Sequence, residues 1–396
     1  MSTQSIPART LWLLGTCAFA SLASMRVCDA MLPALAQQFA TSTGTAGAAI
    51  STFAMAYGLL QLFYGPLGDR FGKVRVIGCS TLACTAGNIA AAFAMDLHWL
   101  VAARVLSGVA AAGIVPLTMA WIGDNVAYAN RQEVLARLLG ATVFGMIAGQ
   151  WLGGLIAETL GWRFAFGLLS LVFLVAGAML LRHDQQRAVA HIVPAGGALA
   201  RMRQVFERPW ARMVLCVTAI EGALAYSALA FVPSYIHARF GVSMPAAGAI
   251  VALYGVGGLV YSRCARHLLR RLAESGLATL GALGLAAAFL SIAWSPAWQW
   301  TLPACLLAGF GFYALHNTLQ THATQMAPAV RGTAVSLFVC VLFLGQSVGV
   351  AAAGWLIDRY SAPLVFAIAG FGLLALGLSF AALLARRSHA TPEAAA

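Results

Sequence analysis

An all-α membrane fold of twelve transmembrane helices, arranged as two repeated six-helix halves, is predicted by three observations. First, the 396 residues are 61% hydrophobic and only 9% charged, with mean hydropathy +0.83, whereas soluble domains carry roughly a quarter charged residues. Second, apolar stretches recur along the whole chain, each near the roughly 20 residues that carry a helix across ~30 Å of hydrocarbon. Third, the chain matches itself at an offset near 200 residues. A membrane β-barrel would instead show ~10-residue segments of alternating polarity, and that alternation is absent.

Taken in order, the first stretch, 11–35, follows Arg9 and has the look of an export signal. It is longer than a signal's apolar core, and eleven further spans follow, so it reads as a membrane helix. Spans 44–64, 76–95, 98–120, 138–159 and 163–181 complete the first half. The second half holds 212–236, 245–262, 276–294, 299–325, 333–357 and 363–385. The chain thus divides into a six-helix bundle over 1–182, a polar central loop over 183–210, and a second bundle over 211–396.

The net charge of +12 raises the question of nucleic acid, which the placement of the 24 Lys and Arg answers. With the N-terminus inside, the cytoplasmic segments hold Arg9; Arg70, Lys73 and Arg75; Arg131 and Arg137; and Arg182, Arg187, Arg201, Arg203, Arg208 and Arg212. Arg263, Arg266, Arg270 and Arg271, then Arg331, Arg386 and Arg387, follow on the same side. Arg163, Arg239 and Arg359 fall outside, while Arg26 and Arg104 lie within spans. This asymmetry is the positive-inside rule, and it places both termini in the cytoplasm of a plasma (bacterial inner) membrane. The eight Cys show no paired spacing and read as small packing residues; no metal or cofactor is expected.

The repeat is carried by Gly145, Gly149, Gly154 and Glu158 against Gly345, Gly349, Gly354 and Asp358. Tyr57, Gly58 and Tyr64 match Tyr254, Gly255 and Tyr261, and Arg131 and Gly108 match Arg331 and Gly309. Two similar bundles suit a carrier that exposes a central site to one side at a time. Nothing resembles a Walker-type phosphate loop, which argues against ATP-driven pumping, and no nucleophile–base constellation suggests an enzyme.

Between spans 2 and 3 stands Gly65-Pro66-Leu67-Gly68-Asp69-Arg70-Phe71-Gly72-Lys73-Val74-Arg75. Physically this reads as a tight glycine-permitted turn placing an acid beside several bases at the membrane surface, either a topological anchor or a charge latch. The string resembles the signature loop of the major facilitator superfamily, G-x-L-x-D-R-x-G-R-K, with Lys73 for the first basic Arg and Val74 for the second base. The resemblance implies a gating role for Asp69 and Arg70, with Gly65, Gly72 and Lys73 completing the loop. Arg104-Val105-Leu106-Ser107-Gly108 is similar to the family's R-x-x-Q-G pattern, associated with proton coupling, with Ser107 where Gln is usual. Gly145, Gly149, Gln150, Gly153 and Gly154 resemble the antiporter string G-x-x-x-G-P-x-x-G-G, with Gln150 in the place of Pro; glycines four apart also serve plain close packing of helices. Asp29-Ala30-Met31-Leu32-Pro33-Ala34-Leu35 resembles the D-x-x-L-P-A-L string of bicyclomycin-resistance-type drug:proton antiporters.

Four ionisable residues fall inside apolar spans, where a charge costs ~2.5–3.5 kcal/mol or more: Arg26, Asp29, Arg104 and Glu221. Arg26 and Asp29, three apart, share a helix face, and Asp29 and Arg104 lie at matched depth, so that a pair can form. Asp29 is either the proton-coupling site, tuned by Arg26 or Arg104, or a fixed partner of one of them. Glu221 is a candidate for a second proton, a cationic substrate or a local hydrogen-bond partner. His316, Asn317 and Gln320 form a polar cluster on span 10, and His316 is either titratable or merely hydrogen-bonded. Tyr57, Gln61, Tyr64, Gln150, Tyr226, Tyr254 and Gln346 are candidates to line a cavity with His316 and Asn317, or else are helix packing.

The sequence therefore predicts a monomeric secondary transporter in the lipid bilayer, expelling a small hydrophobic or cationic compound in exchange for protons. Proton-coupled uptake of an organic anion, clamped by Arg26 and Arg104, is the alternative. A transport-dead sensor or scaffold is the remaining one.

Overall fold

The computed structural model describes residues 8–183 and 197–389. Arg187 and part of the expected central loop, 184–196, lie outside the described residues. Among the described residues every regular element is a helix. Nine helices among the described residues are long and apolar enough to cross a membrane. Counting the long bent helix Met244–Ala293 as two crossings, and adding the first helix pair and Thr301–Gln325, gives the twelve crossings of an all-α membrane fold. Their outer surfaces are apolar: Phe144 is 63% exposed and Trp355 62%, as befits helices whose solvent is lipid.

The chain forms two compact units, Met1–Ala195 with Ser243–Gly248, and Gly196–Val242 with Ala249–Ala396. The first contains α1 (Ala8–Arg26), α2 (Leu32–Gln38), α3 (Thr43–Ala46), α4 (Ala48–Phe71), α5 (Lys73–Ala92), α6 (Leu97–Ala111), α7 (Ile114–Asn125), α8 (Tyr128–Thr159) and α9 (Trp162–His183). The second contains α10 (Ala198–Phe206), α11 (Pro209–Phe240), α12 (Met244–Ala293, its first turn grouped with the first unit), α13 (Thr301–Gln325), α14 (Arg331–Arg359) and α15 (Ala362–His389).

Each unit repeats one packing device. In the first, a Cβ at Gly145 or Gly149 would collide with the carbonyl oxygen of Phe19 or Ala23, so α8 lies backbone to backbone on α1. In the second, Gly345 and Gly349 meet Ala219 and Ala223 of α11 in the same way. Helices approach this closely only where small residues line the contact. Gly153 continues the first seam against Val27, and Gly154 meets the backbone of Met244.

Four details differ from the sequence expectation. The first span is not one helix: α1 ends at Arg26, residues 27–31 form turns, and α2 restarts with Pro33 in its first turn. Pro33 has no N–H to continue the ladder, and turn bonds that reach back only three residues, Asp29 N–H to Arg26 O (3.2 Å) and Met31 N–H to Cys28 O (3.2 Å), replace it. The fourth span is divided between α6 and α7. The motif between spans 2 and 3 is helical through Phe71, Pro66 included. Its turn is confined to Gly72, whose φ of 91° suits glycine. Spans 8 and 9 are joined without a loop, the intervening segment continuing α12 as helix to a single non-helical residue, Ala273.

Candidate functional site

In the first unit the interruption of the first span sets Asp29 on a turn instead of in a helical ladder. Its side chain is fully buried. Arg26 Nη1 donates to Asp29 Oδ2 at 3.2 Å, and Gln150 Nε2 of α8 approaches the same oxygen at 3.5 Å. Asp29 Oδ1 makes no hydrogen bond among the described residues. Gln150 thus stands against the carboxylate, a contact that a proline at this position could not make. The close approach of α8 to α1, enforced by Gly149 and Gly153, is what brings it there.

Arg104, also fully buried, does not form the hydrogen-bonded pair with Asp29 that matched depth allows. Its Nε donates to the carbonyl of Ala49 at 3.0 Å, its Nη1 lies 3.4 Å from Ser24 Oγ, and its guanidinium sits 4.2 Å from the ring centre of Phe53. The helix ladder leaves the second lone pair of a carbonyl available, and the ring face favours a cation. Arg104 Nη2 makes no hydrogen bond among the described residues. Two buried guanidiniums therefore accompany one buried carboxylate in this unit.

The second unit is built otherwise. Glu221 of α11 is fully buried, and its Oε2 lies 2.8 Å from His316 Nδ1 of α13. Its Oε1 makes no hydrogen bond among the described residues. His316 stacks on Phe312 (centroids 4.9 Å, 11° between planes) and leans on Phe338 (5.3 Å). Phe312 is the hub of this region, since Tyr226 (5.2 Å), Tyr254 (5.7 Å) and Tyr313 (5.6 Å) also contact its ring. Three of the sequence candidates, Tyr226, Tyr254 and His316, thus converge on a residue that sequence reading passed over. Its one signal was its place a helical turn before His316. Gln346 is buried, and neither end of its amide has a hydrogen-bond partner among the described residues.

The other candidates scatter. His316, Asn317 and Gln320 are not one cluster: His316 meets Glu221, Asn317 is half-buried, and Gln320 is exposed. Tyr57 is buried against Phe53, Gln61 is buried on α4, and the Tyr64 hydroxyl donates to the carbonyl of Val109 (2.9 Å). At the membrane-surface loop, Lys73 Nζ reaches Asp69 (3.1 Å) and Asp124 at the end of α7 (2.7 Å). Arg70 rests over its neighbour Phe71. The ionic link within this unit is therefore made by Lys73, with Asp124 a partner the sequence did not single out. Gly65 has no close neighbour. All eight cysteines are free, five of them buried, and no group able to hold a metal occurs among the described residues.

Comparison with known proteins agrees with this architecture. The family model of the Major Facilitator Superfamily matches residues 14–350. YceJ of Bacillus subtilis (strain 168), an uncharacterized MFS-type transporter, is 25% identical over 87% of this chain and 88% of its own length. The multi-drug resistance efflux pump PmrA of Streptococcus pneumoniae (strain ATCC BAA-255 / R6) is 36% identical, over 33% of each chain. The chain spans only 40% and 59% of the length of two other Bacillus subtilis relatives that it matches. Among solved structures, the nucleoside transporter NupG superposes with a TM-score of 0.78 over 95% of this chain and 98% of NupG, at 13% identity, which is a likeness of fold. With nine helices apolar enough to cross a membrane among the described residues, a repeated glycine seam and a family match over most of its length, the chain belongs to the Major Facilitator Superfamily and is a multi-pass membrane protein.

Proposed function

We propose that this transporter expels a small hydrophobic or cationic compound in exchange for protons, with Asp29 as the proton-binding group. The supporting observation is Asp29 itself: a fully buried carboxylate, held through one oxygen by Arg26 and Gln150, with its other oxygen unbonded among the described residues. Such a group is costly to keep charged in an apolar surrounding and is steadied by a cation beside it, so modest displacement of Arg26 or Gln150 changes its affinity for a proton. A turn, not a continuous helix, carries it, which leaves the backbone around it fewer ladder bonds to break when it moves.

Glu221 with His316 supplies a second ionisable pair, which takes either a second proton or the cationic end of the substrate against the Phe312 aromatic group. Lys73, bridging Asp69 and Asp124, acts as an ionic latch that one conformation makes and the other releases, with Arg70 and Gly72 in the same loop. Bundles 1–182 and 211–396, joined by 183–210, alternate access. The Arg and Lys distribution supports cytoplasmic termini in a plasma membrane. The likeness to PmrA over a third of the chain favours efflux.

One observation favours the reverse direction: Arg104 carries a buried guanidinium that no carboxylate hydrogen-bonds, a group able to clamp an organic anion taken up with protons. Proteoliposomes under an imposed inward proton gradient, challenged with a compound panel, separate the two. Antiport expels lipophilic cations from the lumen; accumulation of carboxylates inside would establish symport instead.

A further inference from the structure

α12 does not end where its apolar stretch ends. It continues as helix past the buried Tyr261 through Ser262–Leu272 to the break at Ala273, about 15 Å of helix at 1.5 Å per residue projecting from a membrane crossing. Arg263, Arg266 and Arg270 recur at spacings of three and four, which sets them on one face, with Arg271 beside them. All four are exposed. The acid in this segment, Glu274, is already engaged by His322 of α13, whose Nε2 lies 3.0 Å from its Oε2. None of the four arginines has a carboxylate within ion-pair distance among the described residues.

In the corresponding loop of the first unit one base is ion-paired twice, Lys73 facing both Asp69 and Asp124. Membrane topology explains basic residues here, but not their concentration on one face of a helix with its local acid turned elsewhere. Leu269 and Leu272, 48% and 40% exposed, are interleaved with the arginines. Leucines that face acyl chains beside guanidiniums that face phosphates are the composition of a helix lying at a membrane interface.

We propose that the Arg263–Arg271 face of α12 is a binding site for the phosphodiester headgroups of anionic phospholipids. A guanidinium presents two parallel N–H donors to two phosphate oxygens, and a basic cluster directly following a membrane helix draws anionic lipid to it. The proposal rests on the membrane fold and is independent of what is transported or in which direction.

The test uses full-length protein in dodecyl maltoside titrated with phosphatidylglycerol, with retained lipid counted by native mass spectrometry. The variant R263Q/R266Q/R270Q/R271Q should bind phosphatidylglycerol at least tenfold more weakly than wild type, while binding of phosphatidylcholine is unchanged. The all-lysine counterpart should stay within threefold of wild type. If the glutamine quadruple fails to fold, the pairs R263Q/R266Q and R270Q/R271Q are measured separately, and each should weaken binding at least threefold. Equal retention of phosphatidylglycerol by wild type and the glutamine variants would overturn the proposal. So would displacement of the lipid by millimolar inorganic phosphate, which would mark a site for soluble anions, or a preference for an acidic peptide over the lipid.

Discussion

The two units share a frame and differ in the charge they bury. Gly145 and Gly149 seat α8 on α1 as Gly345 and Gly349 seat α14 on α11, each glycine meeting the carbonyl of a small or apolar residue. Inside the frames the chemistry diverges: the first unit buries two guanidiniums and a carboxylate, the second a carboxylate beside an imidazole. An arginine stays charged at any physiological pH, whereas an imidazole does not. Asp29 has a guanidinium beside it, whereas the partner of Glu221 is an imidazole. The packing device is repeated in both units, and the buried ionisable groups are not.

The largest effect should come from removing the permanent cation. Arg26→Ala leaves Asp29 buried without its ion pair, and breaking such a pair costs about 3–5 kcal/mol. His316→Ala, which strips Glu221 of a partner that can be neutral, should cost less, about 1–3 kcal/mol. Thermal unfolding in neutral detergent ranks the two, and Arg26→Ala/Asp29→Asn should recover much of the first loss. Equal penalties would erase the distinction between the units.

Overpacking probes the shared frame. Gly149→Leu and Gly349→Leu should each destabilise by about 1–3 kcal/mol or more, and by similar amounts, because both side chains meet a helix backbone that cannot yield. A large penalty at one and none at the other would mean that the seam serves only one unit. The surface loops should matter least. Lys73→Ala removes a pair whose carboxylates are 43% and 49% exposed, and its stability effect should fall within about 0–1 kcal/mol.

The frame was legible because it is written in periodic, local features. Hydropathy marks each crossing, and the glycine repeat at an offset of 200 marks the seams that the fold displays. The three-residue spacing put Arg26 and Asp29 on one face and left Arg26 and Arg104 both open as partners; the contact forms with Arg26, although Pro33 broke the helix that the spacing assumed. What stayed hidden depends on distant partners and on backbone. Glu221 and His316 are 95 residues apart and meet only because α11 and α13 pack together. Arg104 is held by the carbonyl of Ala49, a group every residue possesses, so no side chain advertised it. Asp124 is far from Lys73 in sequence and meets it only where the end of α7 comes beside the start of α5.

The contrast between the units is tested most directly by uncoupling. With a compound that wild-type proteoliposomes move against its gradient under an imposed pH difference, Asp29→Asn should abolish the uphill movement yet preserve downhill exchange of labelled for unlabelled compound. Uphill transport by Asp29→Asn at the wild-type rate would contradict the account and leave the buried carboxylate of the first unit a structural group.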